Sequence, residues 1–242
     1  MDAAPADPRR VGSTGRTRSS QADADPRGLA VAAVLISALC SVALGPFTIW
    51  LVREVLHMGC GTYPPGTEGA GTWTCADGIG YISVAAALGT LWLVTSLVGA
   101  LLAGLVRPAL TARIGLVVLA FAGTGAVLAW FWSNTLQLVR DEHSPLSASQ
   151  LWLQAVGPAA VVSAAALVVA AASLWWRGRA AVAISAAAAG LMVVAIVLQP
   201  GLGFSLLPVA GLLAAASARS WRPGMPRRDR TAAASADSSS AG

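Results

Sequence analysis

The chain has 242 residues, of which 56% are hydrophobic and only 11% charged, with a mean hydropathy of +0.67. That balance lies far outside the range of domains solvated over their whole surface, and it excludes one here. The formal net charge of +5 comes from sixteen Arg and no Lys, and these residues flank apolar runs instead of clustering on one soluble face, which argues against a nucleic-acid partner.

An Arg-only, Ala- and Gly-rich composition is what GC-rich coding produces, so the setting expected is a bacterial plasma membrane. Residues 1–27 carry Ala, Asp, Arg, Ser and Gly with no apolar period and read as a disordered cytoplasmic tail. Arg9-Arg10 is not followed closely by an apolar segment, and the apolar run around Leu39-Cys40 continues well past the Cys. The first span is therefore a retained anchor and not a cleaved signal.

A helix rises about 1.5 Å per residue, so roughly 20 apolar residues cross a hydrocarbon core about 30 Å thick. On that measure the region 28–218 holds spans at about 28–52, 80–106, 114–134, 151–176, 180–199 and 203–218. The last two come from one uncharged run, 180–218, whose 39 residues would make a helix about 58 Å long. Gln199-Pro200-Gly201-Leu202-Gly203 divides it, because Pro removes a helical donor and Gly permits a tight reversal. Gly45-Pro46 should kink the first span and Gly157-Pro158 the fourth.

The first span also carries Ala33, Ser37, Ser41 and Gly45 at four-residue spacing, a continuous small face suited to close helix approach. This stripe is the candidate helix-packing interface, for self-association or for another membrane protein. Between the first two spans lie Cys60 and Cys75, bracketing a loop rich in Gly and Pro, while Cys40 sits in mid-span. Such a loop has little core of its own, and a disulfide closing about 15 residues would add roughly 3 kcal/mol by the chain-entropy estimate. A redox-active pair would more usually be spaced Cys-x-x-Cys. Cys40 is expected to be an inert, packed thiol.

Titratable groups gather beside the same loop and at the turn between spans three and four: Arg53, Glu54, His57 and Asp77, then Arg140, Asp141, Glu142 and His143. Glu54 and His57 would share a face if the helix continued, and Glu142 and His143 could complete a metal site from the other loop. The blander reading is solvated boundary residues, or an ion pair between Arg53 or Arg140 and the facing acids. Before span four, either Ser144 caps with Pro145 at the first position, or Ser147 and Gln150 form a capping box.

Orientation follows from the Arg residues. Arg9, Arg10, Arg16, Arg18, Arg27, Arg107, Arg113, Arg177, Arg179, Arg219, Arg222, Arg227, Arg228 and Arg230 fall on one side of a six-span chain, with only Arg53 and Arg140 opposite. The positive-inside rule puts that side, and both termini, in the cytoplasm. Residues 219–242 form a basic and then disordered tail whose Arg are a topology signal first and a lipid-headgroup contact second. Seven of the nine Trp fall near the two interfaces and read as anchors.

The expected fold class is thus an all-α membrane protein of six transmembrane helices. Its spans carry no charge, which disfavours ion-coupled transport and intramembrane acid-base catalysis. The leading functional expectation is a non-catalytic accessory, regulatory or interaction subunit that needs no cofactor. A small permease or channel for an uncharged solute is second, with Thr48, Thr90, Thr95, Ser96, Thr124, Ser163 and Gln199 as polar contacts. A membrane enzyme with an extracytoplasmic metal site is third. The run Gly71-Thr72-Trp73-Thr74-Cys75 resembles the Trp-Cys pattern of claudin-like tetraspan proteins, but its spacing and the span count differ from theirs and no family follows.

Overall fold

The structure is a computed structural model that describes residues 25–63, 66–70, 72–75, 78–138 and 147–221. Residues 1–24 and 222–242 of the tails, Asp77 and the segment with Arg140, Asp141, Glu142, His143 and Ser144 lie outside the described residues.

The chain begins with α1, Pro26–Val42, where Asp25 caps the helix by accepting from the Arg27 amide at 3.0 Å and Pro26 takes the first-turn position. At Gly45-Pro46 the helix breaks, and α2, Gly45–Trp50, sets off with the 55° bend between the two segments; α2 then widens into a π-helical turn, Leu51–Val55. The strands β1, Cys60–Thr62, and β2, Trp73–Cys75, form an antiparallel pair, followed by a 3₁₀ turn, Gly78–Tyr81, that leads into α3, Ile82–Leu105.

Helix α4 spans Ala109–Leu138, about 45 Å at the standard rise and well beyond the span 114–134 expected from the uncharged run. The reason is Arg113, which the sequence suggested as a boundary and which is instead a buried residue inside the helix. The fourth span is broken into α5, Ala148–Ala155, and α6, Gly157–Ala172, with the break at Val156 just before Gly157-Pro158. Ser147 starts α5 with a complete capping box, accepting from the Gln150 amide at 3.3 Å while its own amide donates to Gln150 Oε1 at 3.0 Å. Helices α7, Arg179–Leu198, and α8, Gly203–Ser220, are joined by a 3₁₀ turn at Pro200–Leu202, so the 39-residue run does fold as a hairpin.

Five helices among the described residues are long and apolar enough to cross a membrane, and the bent pair α1 and α2 makes a sixth if it is one span. The centre of the bundle is α8, which packs against α1, α3, α4 and α7. Of the apolar window in Pro200–Ser220, 78% is buried, against 22% in Gly78–Leu105. Close approach at the centre depends on small residues: a Cβ added to Gly211 would collide with Ser37 and stand 3.0 Å from the Ala33 carbonyl, and one added to Gly99 of α3 would collide with Leu212.

The stripe of Ala33, Ser37, Ser41 and Gly45 is therefore used within the chain. Ala33 and Ser37 face Gly211 of α8, and Ser41 accepts at 2.8 Å from the Trp92 indole of α3. Gly45 lies at the bend, where it continues no helix face. Cys40, expected to be packed, is exposed on the outside of α1. Trp92, which is not one of the seven Trp read as anchors, also stacks on Phe204 of α8 at 6.0 Å between ring centroids.

Candidate functional site

The two ends of the bundle are built differently. At one end, the guanidinium groups of Arg113 and Arg219 reach across to carbonyls at helix ends. Arg113 Nη2 donates to the Ser173 carbonyl at 2.7 Å, just past the end of α6, and Arg219 Nη2 donates to the Val106 and Arg107 carbonyls, just past the end of α3. The last carbonyls of a helix carry the negative end of its dipole and lack intrahelical donors, so a cation there both pairs them and offsets the charge. In the sequence these Arg read only as topology signals; their position at the border of an uncharged run is the sole hint of the second role.

The other end carries the residues singled out as candidate chemistry. After the π-helical turn, the Leu56 amide donates to the Leu51 carbonyl and the Met58 amide to the Val52 carbonyl, both at 2.9 Å, which closes the helix. His57 then takes φ 48, the one left-handed non-glycine residue among those described, and Gly59 follows at φ 74. This reversal feeds Cys60 into β1, where it pairs directly with Cys75, and the two form a disulfide with an S–S distance of 1.99 Å. Tyr81 fastens the hairpin to the bundle, its hydroxyl donating to the Met58 carbonyl at 3.2 Å. Tyr81 was not among the expected site residues; the hint was one of only two Tyr in the chain, standing at the start of an apolar run.

The reversal also separates Glu54 from His57. Their shared face requires a helix running through residue 57, and the helix closes before it because of the left-handed step at His57. Glu54 instead pairs with its neighbour Arg53, Nε to Oε1 at 3.2 Å, with both side chains about half exposed. An exposed pair of this kind contributes about 0–1 kcal/mol, and it clamps no second loop. His57 is brought beside the disulfide: its imidazole nitrogen and the sulfurs of Cys60 and Cys75 all lie within 4.8 Å of one another. The same sulfurs stand 3.6 and 3.8 Å from the Arg53 carbonyl oxygen.

Below the hairpin a cavity of about 270 Å³ opens between α2, α3 and the start of α8, lined by Gly45, Thr48, Val52, Tyr81, Leu88 and Phe204 among others. Thr48 is buried there and its hydroxyl has no hydrogen-bond partner, as is also true of Ser96, Thr124 and Ser163 deeper in the bundle. Of the other polar residues considered for a solute path, Thr90 and Gln199 are bonded elsewhere. Thr90 is exposed and donates to its own helix at Ala86, and Gln199 donates to the Ala155 carbonyl at 2.7 Å, tying the α7–α8 turn to α5. Thr95 lies against Gly123 of α4.

No family model matches the chain, and no curated protein or solved structure is similar to it.

Proposed function

We propose that this is a six-span protein of the bacterial plasma membrane with both termini in the cytoplasm. It acts as a non-catalytic accessory or interaction subunit, and the stapled hairpin on the far side is its contact surface. The span count rests on treating α1 and α2 as one bent crossing, and the orientation on the Arg asymmetry. The observation that carries the functional reading is the hairpin itself. A disulfide closes it, Tyr81 ties it to the bundle, and Tyr63, Thr72 and Thr74 are exposed on it. A short two-stranded ribbon is marginal alone in water, so both devices serve to hold one shape where a partner can meet it. Association through the small face of α1 would have to displace α8, so the contact is assigned to the hairpin instead.

A photo-crosslinking residue at Thr74, irradiated in intact cells, should give a discrete adduct heavier than the chain, while the same probe at exposed Val193 on α7 should give only lipid or diffuse products. Equal patterns at both positions would remove the reading. For the orientation, in a Cys40→Ala background, a membrane-impermeant maleimide should label Thr67→Cys in intact cells and leave Ala180→Cys unlabelled until the cells are opened. The reverse pattern would overturn it.

The unpartnered hydroxyls of Thr48, Ser96, Thr124 and Ser163 favour one second reading, a path for an uncharged solute. Buried polar groups without partners are costly and invite a ligand. Flux of a neutral solute into proteoliposomes that falls with Thr124→Val would replace the interaction reading with this one.

A further inference from the structure

The trio of His57, Cys60 and Cys75 has the composition of a metal centre as well as of a staple. Zinc takes thiolate at about 2.3 Å and imidazole nitrogen at about 2.0–2.1 Å, so tetrahedral ligand atoms lie roughly 3.5–3.8 Å apart. The nitrogen and both sulfurs already fall within 4.8 Å of one another. The two sulfurs are joined to each other here, so the site requires that bond to be open. Cys60 and Cys75 are register partners in the ribbon, and the left-handed turn at His57 directs the chain back to them. The carbonyl oxygen of Arg53 sits beside both sulfurs and presents a partial negative charge to the same spot. The Arg53 guanidinium, the nearest cation on that element, is engaged by Glu54.

We propose that, in the dithiol form of the protein, His57, Cys60 and Cys75 bind a thiophilic divalent cation, Zn²⁺ by preference, with the fourth position left to water. The hairpin then has two interchangeable staples. The dithiol form arises in two ways. A newly made chain carries free thiols before oxidation, and a dithiol reductant of the envelope can open the bond. In the second case the Cys60–Cys75 bond accepts two electrons and two protons, and the reductant is oxidised to its own disulfide. Metal entry then releases the two thiol protons, and the imidazole binds as the neutral base. Both cysteines are only partly buried and the ribbon is exposed, so reductant and ion have access. Closed by either staple, the hairpin keeps the shape that the contact role requires; opened by reduction without metal, it loses the staple altogether.

The test uses the full chain with Cys40→Ala, so that no other thiol is present, purified in detergent, reduced with a phosphine and freed of it under nitrogen. Titration with Co²⁺ should produce thiolate-to-cobalt charge-transfer bands that saturate at one ion per chain and vanish on adding Zn²⁺. The oxidised protein should show none. Both His57→Asn and His57→Gly tolerate the left-handed backbone and remove the imidazole, and each should weaken binding by more than the ~10–100-fold typical of losing an outer-shell partner. Re-formation of the disulfide in air by these variants shows that their hairpin still folds. Reduced protein without thiolate bands would overturn the proposal, and so would His57 variants that bind as tightly as the parent.

Discussion

Helices α3 and α8 are nearly equal in apolarity, with mean hydropathies of 1.9 and 1.7, yet of the five unbroken spans described one is the least buried and the other the most. Apolarity therefore makes a segment able to cross a membrane and says nothing about where it stands in the bundle, because lipid tails are as apolar as Leu. Position follows from how closely neighbours can approach. In α8, Gly203 and Gly211 meet Leu44 and Ser37 with no room for a Cβ, while α3 shows Leu93, Leu97, Leu101 and Leu105 to the outside. Pro208 fits the same pattern: inside α8 it removes one helical hydrogen bond and remains tolerable because neighbouring helices surround it.

The sharpest way to break the contrast is Gly211→Val. The added side chain meets the Ala33 backbone, which cannot move aside as a flexible side chain could, so the variant should lose about 3 kcal/mol in SDS-induced unfolding. Gly190→Val on the open side of α7, where nothing stands within 4 Å of the new Cβ, should be tolerated far better. An equal loss at both sites would mean that α8 is not central.

Next in size is Arg219→Gln, which takes the charged donor from the Val106 and Arg107 carbonyls and should cost about 2 kcal/mol in the same assay. It tests whether α8 and α3 are joined at that end by this side chain. Trp92→Phe keeps the contact with Phe204 and removes the indole donor to Ser41 and the Ala38 carbonyl, so about 1 kcal/mol should be lost. Smallest of all, Leu97→Ala on the exposed face of α3 should change stability by less than about 0.5 kcal/mol. A larger loss there would reveal a contact that the contrast does not include.

Much of the fold is legible in the chain because it is local. Gly45-Pro46 and Gly157-Pro158 break helices wherever they occur, Pro200-Gly201 reverses one, and Ser147 with Gln150 closes a capping box within four residues. The Cys60–Cys75 staple is legible for a similar reason, since the loop between them offers few other anchors. Less legible are the residues whose role depends on a distant element. Arg113 looks like a boundary until the end of α6 lies next to it, and the small face of α1 looks like an external interface until Gly211 covers it. His57 looked like a partner for Glu54 and became a neighbour of the disulfide, because one left-handed residue ends the helix they were to share.

Reading the chain alone was enough to find runs long and apolar enough to cross a membrane, where they bend and which two cysteines join. Those follow from partition into lipid and from backbone chemistry, both of which act on a segment without regard to its neighbours. It took the packed bundle to reveal that α8 is the centre, that Ala33, Ser37 and Ser41 of α1 pack within the chain, and that an imidazole stands beside the staple. Each of these depends on which small residues and which chain reversals meet across the bundle, and no single segment carries that information.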